Sequence, residues 1–163
     1  MRASASIVIE RPIREVFTHV SDIGSLDQWM PRMQEPRALT EAPEGLGAIF
    51  TALYVRGHRP LPVTCQVTIF DPPHRFAFKV VDGPLEFQGH AAFIGLGGTT
   101  QVHLVVETRA GQAPARWVEA WCGPLLRARL RRQLQQSLAA LRHSLVPPAP
   151  ARTYSLHPQP LAA

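Results

Sequence analysis

Apolar and polar residues alternate with a period of two through the middle of the chain and recur at helical spacing towards both ends. The opening Ser4-Ala5-Ser6-Ile7-Val8-Ile9-Glu10 has the β-branched content of a strand. Pro12 cannot continue a central ladder, so that strand ends near Arg11. Pro12 also suits a helix's first turn, and Val16, Phe17 and Val20 share one face, which predicts a short helix over residues 12–21. Asp22-Ile23-Gly24-Ser25 reads as a turn, and Leu26-Asp27-Gln28-Trp29-Met30 before Pro31 as a second short helix.

From Met33 to Arg109 the alternation predicts antiparallel strands. They are broken at Glu44-Gly45, Gly57-His58-Arg59-Pro60, Asp71-Pro72-Pro73, Asp82-Gly83-Pro84 and Gly97-Gly98. The alternation is cleanest over residues 63–69 and 100–108. Parity puts Phe76, Phe78 and Val80 on one inner face, with Phe87, Gly89, Ala91 and Phe93 beside them. The strand from Gly47 to Arg56 has apolar residues on both parities. We take Phe50, Ala52, Tyr54 and Arg56 as inward, which leaves Arg56 near an opening where water or an acid can meet its charge.

From Ala113 to about Leu145 the residues favour helix, and Leu130, Leu134, Leu138, Leu141 and Leu145 form a stripe that must be buried. Gly123-Pro124 predicts a kink or two abutting helices, just after Trp117 and Trp121, which lie one turn apart. Beyond Val146, five prolines in seventeen residues without periodicity predict a disordered tail over residues 147–163, leaving residues 1–146 as one domain. The fold class is therefore α+β. A curved antiparallel sheet of about six or seven strands grips a long C-terminal helix, with two short helices after the first strand.

A length of 163 residues fits a single domain, and 45% hydrophobic against 18% charged residues excludes global disorder. No stretch reaches the roughly 20 apolar residues of a membrane-spanning helix, and no signal-peptide core precedes Glu10; a cytoplasmic location is expected. The formal charge is +5, and its excess is local. Arg127, Arg129, Arg131, Arg132 and Arg142 follow Gly123 with no acid among them, while the rest of the chain balances. Aromatic residues are not interleaved with this cluster, so nucleic acid is not an expected partner. Gly95-Leu96-Gly97-Gly98 lacks the lysine and helix of a phosphate loop and is a hairpin turn. Cys65 and Cys122 have neither disulfide nor metal-ligand spacing, and no metal or cofactor is indicated.

Several stretches carry a family resemblance. Ser6-Ile7-Val8-Ile9-Glu10-Arg11-Pro12-Ile13-Arg14-Glu15-Val16-Phe17 resembles the opening of the polyketide cyclase/dehydrase and lipid-transport family, within the START-like, Bet v 1-like (SRPBCC) superfamily. Trp29, the phrase Phe70-Asp71-Pro72-Pro73-His74-Arg75-Phe76, the turn Gly97-Gly98-Thr99 and the leucine- and arginine-rich last helix add to it, so that it spans about residues 4 to 145. The resemblance implies a helix-grip fold with a deep apolar cavity between sheet and long helix, and a hydrophobic small-molecule ligand such as a lipid, isoprenoid or polyketide. Fold alone does not choose between binding and chemistry.

Inner-face and aromatic positions then become candidate ligand contacts: Trp29, Phe50, Tyr54, Arg56, Val67, Phe76, Phe78, Phe87, Trp117 and Trp121. Tyr54 and Arg56 can orient a carbonyl, phenolate or carboxylate, and with His58 in the adjoining hairpin they are the candidates for catalysis. The bland alternatives are that Tyr54 packs, that Arg56 pairs with Glu86 or Glu107, and that His58 is an ordinary turn residue. His90 and His103 share a polar parity on neighbouring strands, which predicts a solvent-face pair rather than a metal site. Three functions stay open: a binder of hydrophobic small molecules, a cyclase or dehydratase using the same cavity, and a partner-binding module using the outer residues Ile49, Leu53 and Val55; a homodimer is also open. Arg127, Arg129, Arg131 and Arg132 could add a transient contact with an anionic membrane, against the plainer reading of a solvated helix face.

Overall fold

In the computed structural model, residues 1–41, 45–109 and 116–146 are described, with the side chains of 109, 116–124 and 126 outside that description. β1 (Arg2–Ile9) leads into α1 (Ile13–Ser21), a single 3-10 turn (Ile23–Ser25) and α2 (Leu26–Trp29). Six further strands follow: β2 (Met33–Ala38), β3 (Ile49–Arg56), β4 (Arg59–Asp71), β5 (Arg75–Asp82), β6 (Glu86–Gly95) and β7 (Thr100–Arg109). The chain then enters α3 (Arg116–Leu145). The seven strands form one sheet in the order β1-β7-β6-β5-β4-β3-β2, and each neighbouring pair is antiparallel. This is a helix-grip arrangement, with α3 lying over the inner face between β1 and α2.

Local sequence explains most of the elements. α1 starts one residue after Pro12 and buries Val16, Phe17 and Val20. Phe17 meets Phe70 and Phe93 edge-on at 5.5 and 5.6 Å, joining the helix to the sheet. The Asp22 carboxylate accepts from Gly24 N at 2.9 Å and caps the 3-10 turn. On α3 the predicted stripe is buried: Leu134, Leu138 and Leu141 belong to the core, and Leu130 and Leu145 pack against it. The end of α3 is tied down where Arg11 Nε donates to Leu145 O at 3.0 Å.

Several expectations are corrected. Of the two expectations at Gly123-Pro124, a kink or two abutting helices, the second is corrected: α3 is one element from Arg116 to Leu145. Proline removes one backbone donor, and the helix continues past that single missing bond. Arg59 and Pro60 belong to β4 rather than to the turn, which shrinks to Gly57-His58, with Gly57 at φ 65. Pro60 and Pro62 are tolerated because pairing of β4 with β5 begins only at Thr64↔Asp82, so β4 is an edge there. The register shifts between Val67 and Ile69, and beyond the shift it is Phe70 that packs on the core. The expected break at Glu44-Gly45 lies partly, and the expected tail over 147–163 wholly, outside the described residues.

His90 and His103 do not face each other. The register opposes His90 to Val105 and His103 to Ala92, a two-residue offset. Each ring finds another partner: the Gln88 amide donates to His90 Nε2 at 2.6 Å, and Ser6 Oγ lies 2.6 Å from His103 Nδ1.

Candidate functional site

At the centre of its inner face the sheet carries small side chains on β6. Across it runs the row Val67↔Phe78↔Gly89↔Val106, and next to that the row Phe76↔Ala91↔Leu104. β6 thus contributes only Gly89 and Ala91 at its middle, and the Phe78 ring lies over Gly89, where a Cβ would meet Phe78 Cε1 at 3.6 Å. Phe78 is the hub of a ring cluster, with centroids 5.5 Å from Phe50, 6.1 Å from Phe76 and 6.0 Å from Phe87. Phe87 in turn lies 5.8 Å from Tyr54. Five of the aromatic candidates read from sequence are therefore one connected surface, with Val67 opposite its hub.

α2 and α3 close over that surface. Trp29 and Met30 from one side and Leu134 and Ser137 from the other border a partly open cavity of about 20 Å³ against Phe76, Phe78, Gly89, Ala91, Leu104 and Val106. His90 and Val105 also border it, although they alternate with the inward residues of their strands. That volume is room for about one water molecule. The space is small rather than deep because Trp29, the phenylalanine rings and Leu134 fill it. Trp29 is 2% exposed, and its Nε1–H has no hydrogen-bond acceptor among the described residues. An unpaired buried donor of this kind costs about 1–3 kcal/mol.

The remaining candidates lie towards the rim. Tyr54 is half-buried, whereas Arg56 and His58 are exposed at the β3–β4 hairpin. Arg56 makes no ion pair among the described residues. Glu107, one of its two candidate partners, instead meets Arg2 at 3.5 Å. Trp117 and Trp121 fall in α3, but their side chains lie outside the description. A second, polar groove of about 730 Å³ runs past Arg2, Lys79, Gln88 and Glu107. Lys79, Gln88, Glu107 and Arg2 form one cross-strand row on the parity opposite to Phe78, while Val80 and Phe87, which pack against the core, also border this groove.

Other groups narrow the chemistry. Burial pushes the Cys65 thiol up to about 12, which leaves it protonated and inert as a nucleophile. No cluster of three or more His, Cys, Asp or Glu that could hold a metal ion occurs among the described residues. Arg127, Arg129, Arg131 and Arg132 are exposed on α3. Among the described residues no helix is long and apolar enough to cross a membrane. Ser137 was missed by the sequence reading. Its signal was its place at helical spacing between Leu134 and Leu141, a polar residue on an otherwise leucine stripe.

Solved structures of similar fold include the protein TTHA0849 of Thermus thermophilus, at 16% identity and TM-score 0.73, with 89% of this chain and 97% of that one covered. The Zhui aromatase/cyclase of a Streptomyces species is 17% identical, with TM-score 0.69 and coverage of 89% and 93%. A START superfamily protein of Mycobacterium smegmatis is 16% identical, with TM-score 0.62 and coverage of 89% and 99%. At such identities the likeness is one of fold. No curated protein matches the chain. The sequence itself matches the family described as polyketide cyclase/dehydrase and lipid transport over residues 1–145, and with the seven-stranded grip around α3 the conclusion is that this chain belongs to that family.

Proposed function

We propose that the protein binds a hydrophobic small molecule of the lipid, isoprenoid or polyketide kind between the inner face of the sheet and α3. The observation that carries this reading is the connected aromatic surface around Phe78, left without bulk at Gly89 and Ala91 and roofed by Trp29 and Leu134. An apolar ligand gains about 25 cal/mol for each Å² of apolar surface removed from water there. The space bordered by the described residues holds about one water, so a larger molecule is accommodated there by α2 and α3 moving away from the sheet.

A cyclase or dehydratase in the same cavity is the second reading. The likeness to the Zhui aromatase/cyclase and the position of Tyr54 at the edge of the ring cluster support it. Against it, no acid and base converge among the described inner side chains: His58 is exposed in a turn, and His90 is bonded to Gln88. Native mass spectrometry of freshly purified protein tests the primary reading. A retained apolar molecule is the expected result. Bare protein that also takes up nothing from a panel of fatty acids, isoprenoids and aromatic polyketides would overturn it.

A further inference from the structure

We infer that the free edge of β1 is an interface, which pairs antiparallel with β1 of a second copy of this chain about a two-fold axis at Ser6. The inference is independent of the ligand reading above. β1 ends the sheet, with β7 on one side and no strand on the other. Met1 and Thr108 exchange both backbone bonds, Thr108 N donating to Met1 O at 2.8 Å and Met1 N to Thr108 O. In an antiparallel ladder such pairs recur at every second residue. Ala3, Ala5, Ile7 and Ile9 therefore bond to β7, while Arg2, Ser4, Ser6 and Val8 turn their N–H and C=O groups away from it. Among the described residues nothing bonds to those outward groups; α3 packs against β1 without a backbone bond to it. Arg2, Ser4 and Ser6 are exposed and Val8 is 46% exposed, so water meets this edge.

The two edges of the sheet are built differently. β2, the other edge, carries Pro36, a register shift between Gln34 and Arg37, and Glu35 at φ 49, all of which discourage a further strand. β1 keeps one register with β7 from Arg2 to Ile9 and has no proline and no charge from Ala3 to Ile9. Its sequence also complements itself. With Ser6 opposite Ser6 of the second copy, Ser4 meets Val8 and Arg2 meets Glu10, so a cation faces an acid at both ends of the ladder. Glu10 is exposed and forms no ion pair among the described residues, and the Arg2 side chain, 3.5 Å from Glu107, is 71% exposed. In this register the residues that bond across the axis are the outward ones of both copies, and Ala5 lies beside Ile7 on a shared inner face. A strand-to-strand contact of this length is small, which makes the dimer weak and dependent on concentration.

Amide exchange by NMR, with sedimentation equilibrium, in dilute and in concentrated solution tests the interface. The amides of Ser4, Ser6 and Val8 should exchange about tenfold more slowly once the protein is concentrated, while those of Ala5 and Ile7 stay protected throughout. Ser4→Pro removes a donor that β7 does not use, so it should keep the fold, read by circular dichroism, and leave the protein monomeric. Should that variant fail to fold, a charge exchange decides. Glu10→Arg sets like charges opposite each other and should weaken association at least about threefold, and adding Arg2→Glu should restore it. A protein that stays monomeric at every concentration overturns the proposal. So does a dimer that survives Ser4→Pro, one indifferent to the charge exchange, or one in which Ser4, Ser6 and Val8 exchange as fast as in the monomer, since each puts the contact elsewhere.

Discussion

His19 joins the end of α1 to the end of α3, its Nε2 lying 2.9 Å from Ser144 Oγ. Burial holds its pKa below the usual 6.5, partly opposed by the charge of Asp22. The folded protein therefore takes up this proton less readily than the unfolded chain. The stability that the neutral ring contributes is complete above 6.5 and is lost as the pH falls from there through the lowered folded value. Thermal midpoints measured on descending pH should fall further for the parent than for His19→Gln, which keeps a partner for Ser144 but does not titrate. Parallel curves would remove His19 from the acid response. At this scale parity was a good guide: Phe50, Phe76 and Phe78 are buried on the face assigned to them, and Tyr54 borders their cluster. The unpaired state of the Trp29 indole was not legible, because it depends on what α3 and the sheet bring to within bonding distance.

Among the elements, α3 supplies the clearest energetic contrast. Leu138 is 2% exposed in the core, and Leu125 on the same helix is 76% exposed. Leu138→Ala should cost about 2–5 kcal/mol in denaturant unfolding, through lost burial and the cavity left behind. Leu125→Ala should change stability by no more than about 0.5 kcal/mol. Equal losses at both positions would mean that α3 sits on the sheet by another face. The stripe was readable because helical periodicity is local. The continuity of α3 through Gly123-Pro124 was not, since one missing backbone bond weighs against the packing of the whole helix rather than against its immediate neighbours.

For the whole molecule, the net charge of +5 is concentrated on the last helix, where Arg127, Arg129, Arg131 and Arg132 are exposed and form no ion pair among the described residues. Leu125, Arg129 and Arg132 recur at helical spacing, which sets an exposed apolar residue beside two cations. If a hydrophobic ligand is exchanged at an anionic lipid surface, the protein should sediment with vesicles containing phosphatidylserine at low ionic strength. It should be released as salt rises towards about 0.15 M, where charges more than roughly 8 Å apart are screened. Neutral phosphatidylcholine vesicles should not retain it, and Arg129→Glu with Arg132→Glu should abolish sedimentation. Absence of binding to anionic vesicles at low salt removes the membrane contact.

The order of elements, the inward parity of the strands and the leucine face of α3 were all determined by sequence alone, because each follows from a period of two or of 3.6 residues read over a short window. Only the tertiary structure decided the offset that separates His90 from His103 and the register shift that brings Phe70 onto the core. It also decided the smallness of the space left between α2, α3 and the sheet. Registers between strands and the seating of a helix on a sheet are fixed by how distant side chains interlock. No periodicity within one segment records which atom of another segment will lie opposite.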